Sequence, residues 1–273
     1  MVPFCYFFDI DGTIIGDISS QVYEWDLITT FEPNKLQAFK RNVCSQLVAG
    51  LLRPGFSTFL DFLKARHSVD GCEFFIYTAS ETKWANFIVS CIENVIGFKF
   101  NRPLFTRPQC VSDGSGAHKS FMKVLPVVIK KFGIKSDSDI RGRFILVDNN
   151  RVLPKDEETR LILCPTYLYT DITDVIRLLS EQVLQKNIVE IADFLHVRGL
   201  LNHIDSISLG ANSVQVVKAK YYSTMAKRIK ENLRDEGMWV RDQFWVRLGN
   251  IMHTISLTTL GDSYIHTINR ELK

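Results

Sequence analysis

Several features are scarce in this 273-residue chain, and each scarcity excludes a class of function. The six cysteines, Cys5, Cys44, Cys72, Cys91, Cys110 and Cys164, are far apart and form no C-x-x-C or Cys/His zinc spacing. A zinc module or a dithiol redox centre is therefore excluded, and the cysteines inside apolar runs read as reduced, buried thiols. No apolar run approaches the roughly 18 residues a membrane helix needs, and no basic n-region precedes an apolar h-region. The expectation is an intracellular protein, cytoplasmic or nuclear and not secreted, with no membrane partner. Glycines gather before Lys119, between Gly114 and Ser120, but none stands directly ahead of the lysine, so a nucleotide P-loop is excluded. Excess charge is also lacking: a formal +3, with acids interspersed among the bases, does not argue for nucleic acid by itself. No internal repeat and no low-complexity linker is present.

What is present is ordinary for a globular chain, with 46% hydrophobic and 23% charged residues. The length is near the upper limit of roughly 250–300 residues for one hydrophobic core, which predicts a main domain with an appendage. The aromatic run ending in Phe7-Phe8-Asp9-Ile10-Asp11-Gly12-Thr13 reads as a buried strand that stops at two carboxylates, a glycine and a hydroxyl. Residues 16–30 read as a hairpin or ribbon, a flap over the site, and 34–52 as an amphipathic helix. Arg53-Pro54-Gly55 then introduces a helix bearing Phe56, Phe59, Leu60 and Leu63.

Glu73 to Tyr77 is a second buried strand, ending at Thr78-Ala79-Ser80. The helix after it carries Trp84, Ile88, Cys91 and Ile92 on one face and is closed by Gly97. A loop over 108–116 leads to a helix that starts at Lys119 and ends at Gly133, with Pro126 disturbing or restarting it. Arg143 to Val147 is a third strand, ending at Asp148-Asn149-Asn150, and Leu161 to Cys164 a fourth. A helix from Asp171 or Thr173 to Leu184 follows. Strands alternating with helices predict an α/β fold with a central parallel sheet covered on both faces. Beyond about residue 186 only helices are expected, with 202–213 loop-like. The predicted division is a core over 1–185 and a helical extension over 186–273 packed on it.

Side chains alternate along a strand, so Asp9 and Asp11 leave their strand end toward the same side. The carboxyl ends of parallel strands are where ligands bind in open α/β sheets. Those ends gather Asp9, Asp11, Thr13, Thr78, Ser80, Asp148 and Asn149, with Lys119 able to join them. This set suits phosphate monoester hydrolysis, which needs a nucleophile, charge neutralisation and proton transfer together. A carboxylate can attack phosphorus to form an aspartyl-phosphate. Asp9 and Asp148, with the main-chain carbonyl of Asp11, suit magnesium, which takes hard oxygen ligands and few carboxylates. Asp11 can carry the proton, while Thr78 and Lys119 hold phosphoryl oxygens. Lys123 is the alternative lysine.

The D-x-D-G-T of Asp9 to Thr13, Thr78, a lysine and Asp148 resemble the four motifs of the haloacid dehalogenase (HAD) superfamily. Within it, RPGFSTFLDFL (Arg53 to Leu63), FFIYTAS (Phe74 to Ser80) and ILVDNN (Ile145 to Asn150) resemble the FCP/SCP phosphatases. These act on phosphoserine in the carboxy-terminal domain of RNA polymerase II and on related phosphoproteins. The resemblance covers about residues 1 to 185. It implies a Rossmann-like HAD core with a minimal cap, magnesium as cofactor and a phosphoprotein partner. By the same resemblance Asp9 is nucleophile and metal ligand, Asp11 acid/base, and Asp148 a metal ligand with Asn149 beside it. Thr78, Ala79, Lys119 and Gly12 hold phosphate. The family usually has Glu at the position of Gly12 and Ser-Pro at Asn150-Arg151.

Two other readings stand beside this one. A basic stretch in the tail, from Lys218 to Arg247, is interleaved with Tyr221, Tyr222, Trp239 and Trp245. It raises a nucleotide or nucleic-acid-end phosphatase as an alternative. A non-catalytic HAD-fold interaction protein is the other, although no expected catalytic position is missing.

Overall fold

A computed structural model describes all residues except 1, 17, 114–115, 135–141, 170–175, 198, 202–212, 234–241 and 256–261. The chain divides into two compact units, one of residues 1–17, 46–169 and 241–273, the other of residues 18–45 and 170–240. The expected boundary at residue 185 is therefore not where the units part. The chain leaves the first unit after the opening strand, returns at 46, leaves again at 170, and returns at 241. The reason lies in apolar faces that find partners far away in sequence.

In the first unit, strands β1 (Phe4–Phe8), β2 (Cys72–Ile76), β5 (Phe144–Asp148) and β6 (Leu161–Leu163) form a parallel sheet in the order β2-β1-β5-β6. Val111–Asp113 (β3) and Gly116–His118 (β4) form a small antiparallel pair where a loop was expected. The opening strand β1 is central and fully buried, which is why it reads as an uninterrupted apolar run. Its alternate side chains serve opposite faces. Phe7 stacks with Phe75 and meets Phe144 at a tilt in a cluster that includes Val124, Leu125 and Val128 of helix α5 (Phe121–Phe132). Phe8 meets Phe56 of helix α3 (Phe56–Arg66) and Trp245 of helix α9 (Phe244–Thr254) on the other side. Each such aromatic contributes roughly 1.5–3 kcal/mol by burial.

The helix after β2, α4 (Thr82–Ile96), ends at Gly97 with φ +67. Glycine adopts this left-handed cap at no steric penalty. Pro54 does not enter a helix: Gly55 caps α3 and Phe56 opens it. Helix α5 starts at Phe121, capped by the Ser120 hydroxyl, so Lys119 stands just before it, and it runs through Pro126 unbroken to Gly133. The last helix, α10 (Asp262–Glu271), covers the outer edge of β6. The Asn269 side chain accepts from Leu163 N and donates to Leu161 O, occupying the edge strand's outward polar groups.

The second unit is helical: α1 (Ser19–Phe31), α2 (Leu36–Gln46, which ends at the unit boundary), α6 (Glu181–Lys186), α7 (Ile188–Val197) and α8 (Ser213–Leu233). Leu27, Ile176, Leu184, Ile191, Leu195, Val217 and Tyr221 form its core. The expected hairpin over 16–30 is thus helix α1. Its buried face includes Gln21 and Glu24 beside Leu27 and Ile28, and these polar residues broke the helical pattern that periodicity looks for. The helix expected from 171 or 173 is described only from a 3-10 turn at Ile176–Leu178 onward, and the loop expected over 202–213 lies almost wholly outside the described residues. No described helix is long and apolar enough to cross a membrane. Cys5, Cys72, Cys110 and Cys164 are free thiols.

Candidate active site

Register places the reactive residues together. Asp9 N donates to Val147 O, and Tyr77 N donates to Phe8 O. The exits of β1, β2 and β5 consequently lie side by side, carrying Asp9, Thr78 and Asp148. The loop before α5 brings in the lysine: Lys119 N donates to Val152 O, and Tyr77 Oη bonds both Ser120 N and Ser120 O. Glu157 accepts from Phe121 N at 2.8 Å, fixing the start of the helix with a carboxylate where the helix dipole favours one.

Lys119 Nζ lies 2.5 Å from Asp9 Oδ1 and 2.6 Å from Asp148 Oδ2. All three residues are buried, exposed by 2%, 6% and 1% respectively. Two carboxylates therefore share one cation in a water-poor site. Burial pushes the Asp9 carboxyl up to about 7; Lys119 pulls against this, while Asp148 and Asp11 push further upward. Burial alone would lower the Lys119 ammonium, but Asp9 and Asp148 outweigh it and hold the pKa above the ordinary lysine range. Lys119 stays charged and Asp9 is the group that yields. Lys123 is exposed on α5, so of the two candidate lysines Lys119 is the one in the site.

Asp11 is only partly buried, and its Oδ2 accepts from Ser80 Oγ at 2.8 Å. Thr78 Oγ1 accepts from Ser80 N at 3.1 Å, leaving its O–H as the donor. Ala79 lies between these two, with its carbonyl accepting from Arg107 Nε. Thr13 is fully buried and joins the first and third strand ends: its Oγ1 accepts from Asn149 N at 3.1 Å. Asn149 also donates from Nδ2 to Thr166 Oγ1, so it braces the turn and does not reach toward Asp9. Asp148 Oδ1 accepts from Asn150 N at 2.8 Å, which leaves Oδ2 for Lys119. The donor is the backbone amide of residue 150, so this bond does not depend on the side chain there.

Gly12 has φ +73, and a Cβ there would lie 2.6 Å from Asn149 Nδ2 and 3.1 Å from Thr166 Cγ2. A side chain there strains the left-handed backbone and displaces the Asn149 amide. Gly12→Ala is expected to destabilise by about 1–3 kcal/mol through left-handed strain and displacement of Asn149. Gly12→Glu should lose more. Thermal melts of the two variants check the ranking.

A family model of the NLI interacting factor-like phosphatases matches residues 4–195, well over half of the chain. The chain belongs to that family. That family is one of phosphatases, phosphoric monoester hydrolases. No curated protein sequence matches it. Among solved structures it is similar to a variant of the fission yeast RNA polymerase II CTD phosphatase Fcp1 bound to beryllium fluoride. Identity is 15% over 92% of this chain and 62% of that one, with a TM-score of 0.44. A second structure, of Fcp1 described as an essential RNA polymerase II CTD phosphatase, shares 17% identity over 92% and 61%, with a TM-score of 0.43. The chain spans about three-fifths of the length of these proteins.

The phosphatase site contains a residue outside the expected set. Arg53 is 1% exposed and donates from Nη1 to Pro165 O at 3.0 Å, behind the Asp9 to Thr13 turn. The R-P-G sequence was legible as a helix boundary, but nothing local marks its arginine as buried. The proposed nucleic-acid face fares differently. Tyr221 and Trp245 are fully buried and belong to cores. The side chains of Arg228, Lys230, Arg234, Trp239 and Arg241 lie outside the described residues.

Proposed function

We propose that this phosphatase is magnesium-dependent and removes phosphate from phosphoserine in a protein, through an aspartyl-phosphate on Asp9. The observation that carries the reading is the convergence of Asp9 and Asp148 on one cation, Lys119, beside Asp11 at adjacent strand ends. In the first half-reaction an Asp9 oxygen attacks phosphorus, the P–O bond to the serine oxygen breaks, and Asp11 gives that oxygen a proton. In the second, Asp11 takes a proton from water, which attacks phosphorus and breaks the acyl-phosphate bond, releasing phosphate and restoring Asp9. The Ser80 hydroxyl holds one oxygen of Asp11 during both transfers. Lys119 offsets negative charge on the phosphoryl group, and the Thr78 O–H and the backbone around Gly12 and Ala79 complete its cradle.

The donor set fits magnesium. Two carboxylates already face one positive charge, and hard oxygens are what this ion selects. Asp9, Asp148 and the Asp11 carbonyl would hold it. When bound, it neutralises phosphoryl charge.

The substrate reading, RNA polymerase II carboxy-terminal repeats or another phosphoserine peptide, rests on the FFIYTAS and ILVDNN motifs. A nuclear or cytoplasmic location goes with it. Initial rates on an aryl phosphate, a phosphoserine heptad peptide and a 3′-phosphorylated oligonucleotide test it, with magnesium and with EDTA. The peptide is expected to exceed the oligonucleotide by at least about tenfold in kcat/KM, a difference of about 1.4 kcal/mol, and EDTA should abolish release. A preference for the oligonucleotide, or full activity in EDTA, would sink the proposal.

A further inference from the structure

The Asp9 to Thr13 turn is tight. The amides of Thr13, Ile14 and Ile15 all point at one acceptor, Ile10 O, at 3.3, 3.0 and 3.1 Å. Its outward carbonyls are held from beyond the turn. Tyr167 N donates to Gly12 O at 2.9 Å, Arg53 Nη1 to Thr13 O at 3.4 Å, and Arg53 N to Ile14 O at 2.9 Å. Arg53 is therefore attached to this turn by both backbone and side chain.

A buried guanidinium needs a counter-charge. Asp242 supplies it with two parallel bonds, Nε to Oδ1 at 2.9 Å and Nη2 to Oδ2 at 2.8 Å. Phe244 and Tyr167 cover the guanidinium at 4.5 and 5.4 Å. No other carboxylate bonds Arg53 among the described residues. Asp242 lies outside residues 4–195, so this partner is not part of the stretch the family model matches. Asp242 Oδ1 also accepts from Phe244 N at 3.2 Å, at the start of helix α9, but the body of that helix is docked by apolar packing. Trp245 is fully buried against Phe56 and Phe59, with ring centroids 4.9 and 5.0 Å away.

We infer that Arg53 and Asp242 are a positioning pair for the Asp9 to Thr13 turn, which makes the segment opening at Asp242 a working part of the catalytic unit. Without Asp242 the arginine keeps a buried, uncompensated charge and moves toward water, releasing Thr13 O. Asp9 and Asp11 ride on that turn. A displacement of about 1 Å at a reacting group lowers rate on the order of a hundredfold.

The kinetic arm rests on the phosphatase reading, so a structural arm accompanies it. Asp242→Asn and Arg53→Lys are assayed in the full chain on an aryl phosphate, well below their melting midpoints and normalised to folded protein. Amide exchange is followed at Thr13, Ile14 and Ile15. We expect kcat to fall about 10- to 100-fold with KM within about threefold, because the turn moves while Thr78 and Lys119, which hold phosphate from outside it, do not. Exchange at the three amides should accelerate at least about tenfold, with α9 amides from Leu248 onward unchanged. Arg53→Lys, which keeps the charge but lacks the fork, should fall less than Arg53→Gln. Unchanged exchange at the turn overturns the inference, as does faster exchange with an unchanged kcat. A wild-type chain that releases no phosphate removes the proposed function instead, and the exchange arm then decides alone. Should Asp242→Asn not fold, Asp242→Glu moves the same carboxylate by one methylene and gives the same two readings.

Discussion

Asp9→Asn is expected to reduce phosphate release at least about a thousandfold while raising the melting midpoint of the metal-free protein. The first effect follows from chemistry, since an amide oxygen cannot form the acyl-phosphate. The second follows from electrostatics. Asp9 and Asp148 place two buried carboxylates against the single ammonium of Lys119, with Asp11 nearby. The substitution leaves Lys119 with Asp148 as a balanced pair, and Asn still offers Oδ1 to the lysine. The sign follows from the pKa values: the folded Asp9 is pushed up to about 7, above its unfolded value of about 3.9. Below about pH 4 both states are protonated and nothing is lost. Between about pH 4 and 7 the unfolded chain ionises and the folded one does not, so wild-type stability falls as pH rises, by at most about 1.4 kcal/mol per unit. Above that window the loss is complete. The variant lacks this slope. Each kcal/mol regained is worth about 2–4 °C for a domain of this size. Melting in EDTA from pH 4.5 to 8 checks it; a variant that melts no higher than wild type at pH 7.5 would contradict the account.

The same burial that perturbs Asp9 made the site legible in the sequence. A parallel strand covered on both faces is an apolar run, and its first polar residue marks the strand end. Asp9, Thr78 and Asp148 all follow this rule, and the sheet register brings them together. The face of α4 and its stop at Gly97 were equally local. Choosing Lys119 over Lys123 depended on the family motif, since both precede or begin one helix. What separates them is the Tyr77 hydroxyl holding Ser120, a bond spanning 43 positions.

Features without a local pattern were missed. Helix α1 buries Gln21 and Glu24, so its face is not apolar. The boundary at 185 was placed where strand alternation ends, yet α9 carries Trp245, Leu248 and Met252 at helical spacing, all buried in the sheet-bearing unit. That stripe was visible as a face needing cover, but not which surface would cover it. Arg53 and Asp242 are 189 positions apart. A buried ion pair has no periodicity, and each partner alone reads as a surface charge.

Lys119→Met is expected to destabilise the fold by about 3–5 kcal/mol, as removal of one partner from a buried ion pair does. It should also lower phosphate release by roughly two to three orders of magnitude, since a fixed charge on the phosphoryl group is lost. Methionine nearly fills the volume of the lysine stem, so the effect isolates the charge. With the ammonium gone, Asp9 and Asp148 face each other without a cation, and the folded Asp9 carboxyl loses the charge that pulls its pKa down. Stability is then fullest below about pH 4, where Asp9 is protonated in both states, and declines as pH rises. The wild-type lysine contributes in the opposite sense: its raised pKa gives stability below the unfolded lysine value of about 10.4 that is lost only at more alkaline pH. Pairing the change with Asp9→Asn removes one of the two stranded charges. The double variant should therefore be more stable than Lys119→Met alone, and by more than Asp9→Asn adds to the wild type, because the substitution relieves more repulsion once the lysine is gone. Denaturant midpoints at pH 5 and pH 8 for the two single variants and the double one measure this. A Lys119→Met protein as stable at pH 8 as at pH 5 would mean that Asp9 and Asp148 have a second counter-charge.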